Sequence, residues 1–316
     1  MTTRPWVPLL VVLVLIASSC GGGPAATPTP KAEGAGPTPT PIPILPTPTP
    51  KPPPPTPTPA PTNTPVPTLT PQPGETPTSP PPSPTVELVP RPVDRMVTIP
   101  AGEFLMGADD KEDDERPSHT VSVEAFEIDI YEVTNAEFAF FVEQTGYVTE
   151  AEKAGEPETW RTYATEGREA HPVVKVTWAD AEAYCRWVGK RLPTEAEWEK
   201  AARGTDGRIY PWGNDWDPAK ANSRESGYRG TLVVGSLPDG ASPYGVMDMA
   251  GNVWEWTADW YQAYPGSDMT SPYFGEQYRV TRGGGWFSDA FHLRTANRSA
   301  TAPEARNDDL GFRCAR

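Results

Sequence analysis

Three cysteines and three histidines have the widest range of chemistry in this 316-residue chain, since they supply nucleophiles, metal ligands and proton carriers. They are Cys20, Cys185 and Cys314, with His119, His171 and His292. No two histidines have the H-x-x-x-H or H-E-x-x-H spacing of a metal site. Ser288, Asp289 and His292 could form a hydrolytic set, but they fall within five residues and no oxyanion motif accompanies them. The pattern therefore disfavours hydrolysis.

The segment RGGGWFSDAFHLRTANR, residues 282–298, combines a glycine triplet with aromatic, cationic and amide side chains. Glycine lets a backbone approach its neighbour closely, and polar loops with arginine and aromatic residues suit molecular contacts. The segment predicts a binding surface, with contacts made by Trp286, Phe291, His292, Arg294 and Asn297. Alternatively, Trp286 and Arg294 are scaffold residues packed beneath the loop, and His292 is an ordinary surface residue.

Carboxylates mark two further candidate sites. The stretch DMAGNVWEW places Asp248 and Glu255 on either side of Gly251. A tight loop there could bring both carboxylates and the carbonyl groups of Gly251 and Val253 around one Ca²⁺ ion. The alternative is a tryptophan-packed turn with solvated acids. The run DDKEDDE, residues 109–115, is more typical of a solvated loop than of a cation site, and we assign no ligand there.

These candidate residues must be positioned by short elements. Three helices are predicted by an N-cap threonine followed three residues later by a carboxylate. The pairs are Thr134 with Glu137, Thr177 with Asp180 and Thr194 with Glu197, and the closing glycines are Gly146, Gly189 and Gly204. MVTIPAGEFLMG alternates like a strand pair with a turn at Ala101-Gly102, and HTVSVEAFEID predicts another strand. The remainder is rich in Trp, Gly, Pro and Asn, which favours a loop-rich α+β domain with few short strands and about three short helices.

Composition divides the chain into three parts. Most of its 42 prolines precede residue 93, and residues 21–92 form a Pro/Thr-rich, disordered tether that favours extended polyproline II. Residues 93–316 form the globular domain, long enough for one sizeable core. Residues 1–92 hold four basic and three acidic residues, which leaves 23 basic and 39 acidic residues and a net charge near −16 in the domain. Such a charge disfavours binding to nucleic acid or anionic lipid.

Residues 1–20 are typical of an export signal. Arg4 is followed by an apolar run of 11 residues, Val7 to Ala17, which is too short to span a bilayer. The following Ser18-Ser19-Cys20 resembles the lipobox of bacterial lipoproteins, where the cysteine becomes the lipidated N-terminus, although Ala17 replaces the commoner leucine. The alternative is an ordinary cleaved signal with an incidental cysteine. We expect a lipid anchor at Cys20, on the outer face of the bacterial cytoplasmic membrane or at the cell surface, as the only membrane contact.

Seven segments of residues 94–316 resemble the formylglycine-generating enzyme family, also called sulfatase-modifying factors. They are MVTIPAGEFLMG, FEIDIYEVTNAEFAFFV, HPVVKVTWADAEAYCRWVGKRLPTEAEWEKAARG, YPWGN, GVMDMAGNVWEWTADW, RVTRGGGWF and DDLGFRCAR. The resemblance implies a variant of the C-type lectin-like fold that usually binds Ca²⁺. In the family's enzymes, a copper-binding cysteine pair oxidises a sulfatase cysteine to formylglycine.

The resemblance also assigns roles to individual residues. It joins Cys185 and Cys314 in a disulfide, as is common in exported chains, with two free buried thiols as the alternative. It supports Ca²⁺ at Asp248, Gly251, Val253 and Glu255. It places a second site at Asn222 and the carbonyl groups of Ser223 and Tyr228, where Ser226 replaces an expected aspartate.

The family's catalytic cysteine pair is absent from the matching segment. Ser288 stands at the first position, and neither a sulfur nor equal length is found at the second. A serine hydroxyl cannot replace a cysteine thiolate as a Cu(I) ligand, and it cannot undergo the same redox chemistry. Copper is therefore not expected. We therefore expect a non-catalytic module that binds a protein or glycan ligand. The alternative is a formylglycine-generating oxidoreductase, or a drifted relative, that acts on a protein cysteine.

Overall fold

The computed structural model describes residues 95–316, which begin with two separate pairs of antiparallel strands. The strands are β1 (Met96–Ile99), β2 (Gly102–Met106), β3 (His119–Val123) and β4 (Phe126–Asp129). β1 pairs with β4, and β2 pairs with β3. The export signal, Cys20 and the tether lie outside the described residues.

The predicted pairing of β1 with β2 around Ala101-Gly102 is wrong, although both strands exist. The two strands bury their side chains in different parts of the core. Ile99 of β1 packs with Phe126, whereas Phe104 of β2 packs with Tyr264. Each strand therefore finds its partner later in the chain, since HTVSVEAFEID forms two strands rather than one.

All three predicted capping boxes are present, and each helix begins directly after its threonine. The helices are α1 (Asn135–Thr145), α2 (Glu150–Ala154), α3 (Trp160–Tyr163), α4 (Trp178–Trp187) and α5 (Glu195–Arg203). α2 has a fourth capping box, formed by Thr149 and Glu152, which the sequence interpretation overlooked. No helix within residues 95–316 has the length and apolar character needed to cross a membrane.

The C-terminal part forms a four-stranded sheet in the order β7-β6-β5-β8. The strands are β5 (Trp254–Trp260), β6 (Arg279–Arg282), β7 (Arg298–Thr301) and β8 (Leu310–Gly311). β6 is antiparallel to both neighbours, whereas β8 runs parallel to β5. The segment between β6 and β7 contains the predicted binding surface.

The predicted disulfide between Cys185 and Cys314 is confirmed. Both cysteines are fully buried, and their Cα atoms lie 5.7 Å apart. The bond joins α4 to the segment after β8, within a core that also contains Phe138 and Phe312. It therefore connects the helical part of the domain covalently to the C-terminal sheet.

Candidate functional site

The segment after β6 turns sharply and then exposes aromatic side chains. Gly283 and Gly284 have φ angles of +93° and +74°, which residues with a side chain rarely adopt. The Trp286 indole donates to the Asp308 carbonyl at 3.3 Å and is only partly exposed. Beyond it, Phe287 is 64% exposed and Phe291 is 38% exposed. We call residues 286–292 the exposed loop.

Polar contacts within the exposed loop connect it to a neighbouring segment. His292 Nδ1 lies 2.6 Å from Asp289 Oδ1, and Asp289 also forms an ion pair with Arg224 at 2.9 Å. The Ser288 hydroxyl accepts a hydrogen bond from the backbone N–H of Gly285 at 3.0 Å. The serine therefore helps to close the turn, and within residues 95–316 it has no hydrogen bond to His292.

Two residues predicted to contact a partner are instead scaffold residues. Arg294 is 4% exposed and Asn297 is 3% exposed. The Arg294 guanidinium forms a bidentate ion pair with Glu115, with both N–O distances at 2.7 Å. Asn297 Nδ2 donates to the same carboxylate at 3.2 Å. The prediction of Arg294 and Asn297 as surface contacts is therefore wrong, because Glu115 holds both inside the domain.

The same contacts correct the interpretation of DDKEDDE as a wholly solvated loop. Its last residue, Glu115, is fully buried. Asp114 accepts a hydrogen bond from the Tyr261 hydroxyl at 2.6 Å, while Asp110 and Asp113 remain exposed. A buried, ionised carboxylate needs a charged partner, and the partner of Glu115 is Arg294, 179 residues further along the chain.

At the first predicted calcium site, the carboxylate of Glu255 is already paired. Arg313 donates to both of its oxygens at 2.7 Å, and the Trp198 indole donates to Oε2 at 2.9 Å. Glu255 and Arg313 are both 0% exposed. The alternative of solvated acids is therefore wrong for Glu255, which serves as the counter-charge of a buried arginine.

Acidic groups remain in excess around this ion pair. Burial, followed by the charge of Asp248, raises the pKa of Glu132 well above its usual value, and burial also raises the pKa of Asp248. Among the residues that the structure describes, Glu132 Oε2 and Asn222 Oδ1 are buried without a hydrogen-bond partner. These orphaned oxygens and the acidic excess suit a hard cation or a shared proton.

The residues present fit Ca²⁺ only in part. Within residues 95–316, no group of three or more His, Cys, Asp or Glu side chains could hold a metal ion. The set would therefore depend on the Asp248 carboxylate, the carbonyl groups of Gly251 and Val253, and the remaining lone pair of Glu255 Oε1. Asp248 adopts φ +59°, and one of its oxygens accepts the Gly235 N–H.

The second predicted calcium site is closed by serine hydroxyls. Ser226 Oγ donates to the Ser223 carbonyl at 2.8 Å, and the Ser223 N–H donates back to Ser226 Oγ at 2.9 Å. The Asn222 amide group donates to the Gly230 carbonyl, while Tyr228 is 45% exposed. The serine that replaces the expected aspartate thus occupies one predicted carbonyl ligand, so this set fits a cation less well than the first.

Comparison with known proteins decides the family of the domain. The model of the sulfatase-modifying factor enzyme 1-like domain matches residues 82–316. The chain belongs to the sulfatase-modifying factor family. It is similar to the formylglycine-generating enzyme of Bos taurus, with 38% identity over 72% of this chain and 75% of that protein. It is also similar to the inactive C-alpha-formylglycine-generating enzyme 2 of Mus musculus, with 39% identity over 70% of this chain and 85% of that protein.

A solved structure that resembles this domain supports the predicted fold class. PvdO from Pseudomonas aeruginosa superimposes with a TM-score of 0.58 and 33% identity, covering 70% of this chain and 93% of that chain. The α+β, C-type lectin-like variant with short strands and short helices is therefore confirmed, although the described residues contain five helices rather than about three.

The sulfatase-modifying factor domain of this chain contains no unpaired thiol. Of the three cysteines, Cys185 and Cys314 are bonded to each other, and Cys20 precedes the matched region. Ser288, which the resemblance places at the first catalytic position, is part of a turn. The buried roles of Glu115 and Arg313 were not predicted from the sequence, because no local pattern indicates partners so distant in the chain.

Proposed function

We propose that this domain is a non-catalytic, ligand-binding member of the sulfatase-modifying factor family. The proposal rests on one observation: both cysteines of the domain form the buried Cys185–Cys314 disulfide. The thiolate chemistry of copper-dependent oxidation needs a free cysteine, and Ser288 supplies a hydroxyl instead. One similar relative is named as inactive, so the family includes members without the reaction.

The exposed loop is the surface that we propose for ligand binding. Phe287 and Phe291 present apolar area to solvent, and His292, Asp289 and Arg224 surround it with hydrogen-bonding groups. Such a combination of aromatic area and a polar rim suits a protein or glycan partner. The acidic domain disfavours nucleic acid.

We further propose that the domain is exported and held to the membrane by a lipid on Cys20. The export signal and the cysteine that follows its apolar run support this location. The tether of residues 21–92 would give the exposed loop reach away from the membrane. Nothing in the binding proposal requires a transmembrane helix.

The test of the proposed function is an oxidation assay on a peptide that contains a sulfatase-type cysteine. The purified full chain is incubated with the peptide, copper and oxygen, and mass spectrometry measures loss of the thiol. We expect no formylglycine above the rate of a sample without protein, because the domain supplies no unpaired thiolate.

A catalytically active relative with both loop cysteines is the positive control for this assay. A variant with both Cys185→Ser and Cys314→Ser tests whether the disulfide sulfurs take part. Formylglycine production by the wild-type chain would withdraw the binding-module proposal in favour of the oxidoreductase alternative. Production that continues in the double variant would also locate the chemistry outside those two sulfurs.

We also propose that Ca²⁺ binds at Asp248 with the carbonyl groups of Gly251 and Val253. A cation bound only by the native state, at 100 times its dissociation constant, contributes about 2.7 kcal/mol. For a domain of this size, that corresponds to roughly 5–10 °C in Tm. We therefore expect chelation with EGTA to lower the Tm by that amount, measured by differential scanning calorimetry.

The control for the calcium measurement separates ion binding from stability. Asp248→Asn should remove the response to EGTA, whereas Asp268→Asn, at an exposed acid, should retain it. Glu255→Ala is unsuitable here, because it would also remove the bidentate ion-pair partner of Arg313. If the wild type has the same melting curve with and without EGTA, the proposal that it binds Ca²⁺ is wrong.

A further inference from the structure

A cavity of 540 Å³ lies between α1, α4 and the end of β4, and it is not part of the exposed loop. Its volume is within the range of small-molecule sites, roughly 300–1,000 Å³. Glu137, Phe140 and Gln144 line it from one face of α1, while Tyr184 and Trp187 line it from α4. No residue of 286–298 borders it. It is therefore a second candidate site, separate from the proposed binding surface.

Aromatic rings form one wall of the cavity. The Phe140 and Trp187 ring centroids lie 5.8 Å apart with an interplanar angle of 60°, and the Tyr184 and Trp187 centroids lie 6.2 Å apart. Trp187 is 37% exposed, so part of its ring is available to a bound molecule. An exposed tryptophan ring offers a flat surface for a ligand with an apolar face and polar edges.

Two polar atoms in the cavity have no hydrogen-bond partner among residues 95–316. Glu137 Oε2 accepts from the N–H and the hydroxyl of Thr134, both at 2.8 Å, whereas Oε1 is unpaired. Tyr184 is 3% exposed, and its hydroxyl is likewise unpaired. Burial, with the charges of Glu137 and Asp129, raises the pKa of Tyr184, so the hydroxyl stays protonated and able to donate.

The charges around the cavity nearly balance. Its lining contains the basic residues Arg95, Lys190 and Arg316 and the acidic residues Asp129, Glu132 and Glu137. Lys190 Nζ lies 2.6 Å from Asp129 Oδ1, and the Arg95 guanidinium lies 5.8 Å from the centre of the Tyr131 ring. Alternating donors and acceptors without a dominant charge suit a ligand with many hydroxyl groups better than an ion, since each hydroxyl both donates and accepts.

We infer that this cavity binds a neutral saccharide, with a sugar ring against Trp187 and its hydroxyl groups bonded to Glu137 and Tyr184. The sugar's C–H face would cover the exposed part of the indole, and its hydroxyls would form hydrogen bonds with Glu137 Oε1 and the Tyr184 hydroxyl. This inference goes beyond the proposed function, because it assigns a second site and a chemical class of ligand to the helical face of the domain.

The test uses the full chain on an array of neutral, anionic and amine-bearing mono- to tetrasaccharides. Isothermal titration calorimetry follows with each neutral saccharide that is retained. We expect at least one neutral saccharide to bind, with a tenfold or greater loss of affinity in Trp187→Ala and a several-fold loss in Tyr184→Phe. Phe287→Ala, in the exposed loop, is the matched control and should bind as the wild type does.

Three outcomes would overturn the inference. They are retention of no neutral saccharide, retention of charged saccharides alone, and affinity unchanged in both Trp187→Ala and Tyr184→Phe. Because Trp187 is partly exposed, its variant should fold, and an unchanged melting temperature would show this. The result is independent of the oxidation assay, since a chain that oxidises cysteine peptides could still bind saccharide at this cavity.

Discussion

Replacement of Glu255 by alanine is expected to lower the free energy of unfolding by about 3–5 kcal/mol. The substitution removes the carboxylate that receives Arg313 at both oxygens, in a place where neither residue has any exposed surface. The guanidinium would keep its hydrogen bonds to backbone carbonyl groups but would lose its bidentate charged partner in the core. Urea-induced unfolding in the presence of EGTA, followed by tryptophan fluorescence, measures the effect without a contribution from Ca²⁺.

Two further variants make this result specific to burial. Glu182→Ala disrupts an exposed i,i+4 pair with Arg186 and should cost no more than about 0.5 kcal/mol. The combined variant Glu255→Leu, Arg313→Met removes both charges and should recover much of the loss of Glu255→Ala. A loss below about 1 kcal/mol in Glu255→Ala would contradict the assignment of Glu255 as the counter-charge of Arg313.

The second large effect is expected from loss of the disulfide. Cys185 and Cys314 are 129 residues apart, so their bond excludes many conformations from the unfolded chain. The chain-entropy model gives about 4–5 kcal/mol for a loop of this length. We expect the variant Cys185→Ala, Cys314→Ala to lose stability of that order in urea-induced unfolding under non-reducing conditions.

Reduction with dithiothreitol provides the matched comparison. The reduced wild type should approach the stability of the double variant, whereas dithiothreitol should not change the variant itself. A difference between the reduced wild type and the variant would measure the packing contribution of the two sulfur atoms. If the oxidised wild type and the variant unfold at the same urea concentration, the bond contributes nothing to stability.

Local signals in the sequence predicted the elements of the fold better than their partners. Thr134, Thr177 and Thr194 each identify the start of a helix, because a capping box is completed within four residues. β1 and β2 were also predicted as strands, but their partners β4 and β3 depend on which core cluster each apolar face enters. The pairing therefore depends on contacts that no short window contains.

The candidate sites show the same limit. Arginine is a residue type that often makes binding contacts, so Arg294 was predicted at the surface. Its partner Glu115 lies 179 residues earlier, in an acidic run that itself predicts a solvated loop. The cavity beside Trp187 combines residues from α1, α4 and β4, and none of those segments has a motif for a ligand. By contrast, the disulfide between Cys185 and Cys314 was predicted, since the resemblance to the family joins these two positions.

Mechanical load applied from the N-terminal side of this domain would enter at Arg95, the first residue that the structure describes. Force applied there first reaches the four-residue pairing of β1 with β4. β4 is bonded in turn to the final residue, since Glu127 and Arg316 exchange two backbone hydrogen bonds of 2.9 Å. The segment that carries Arg316 is joined covalently to α4 through Cys185–Cys314. Resistance to pulling therefore depends on the redox state of one bond as well as on strand pairing.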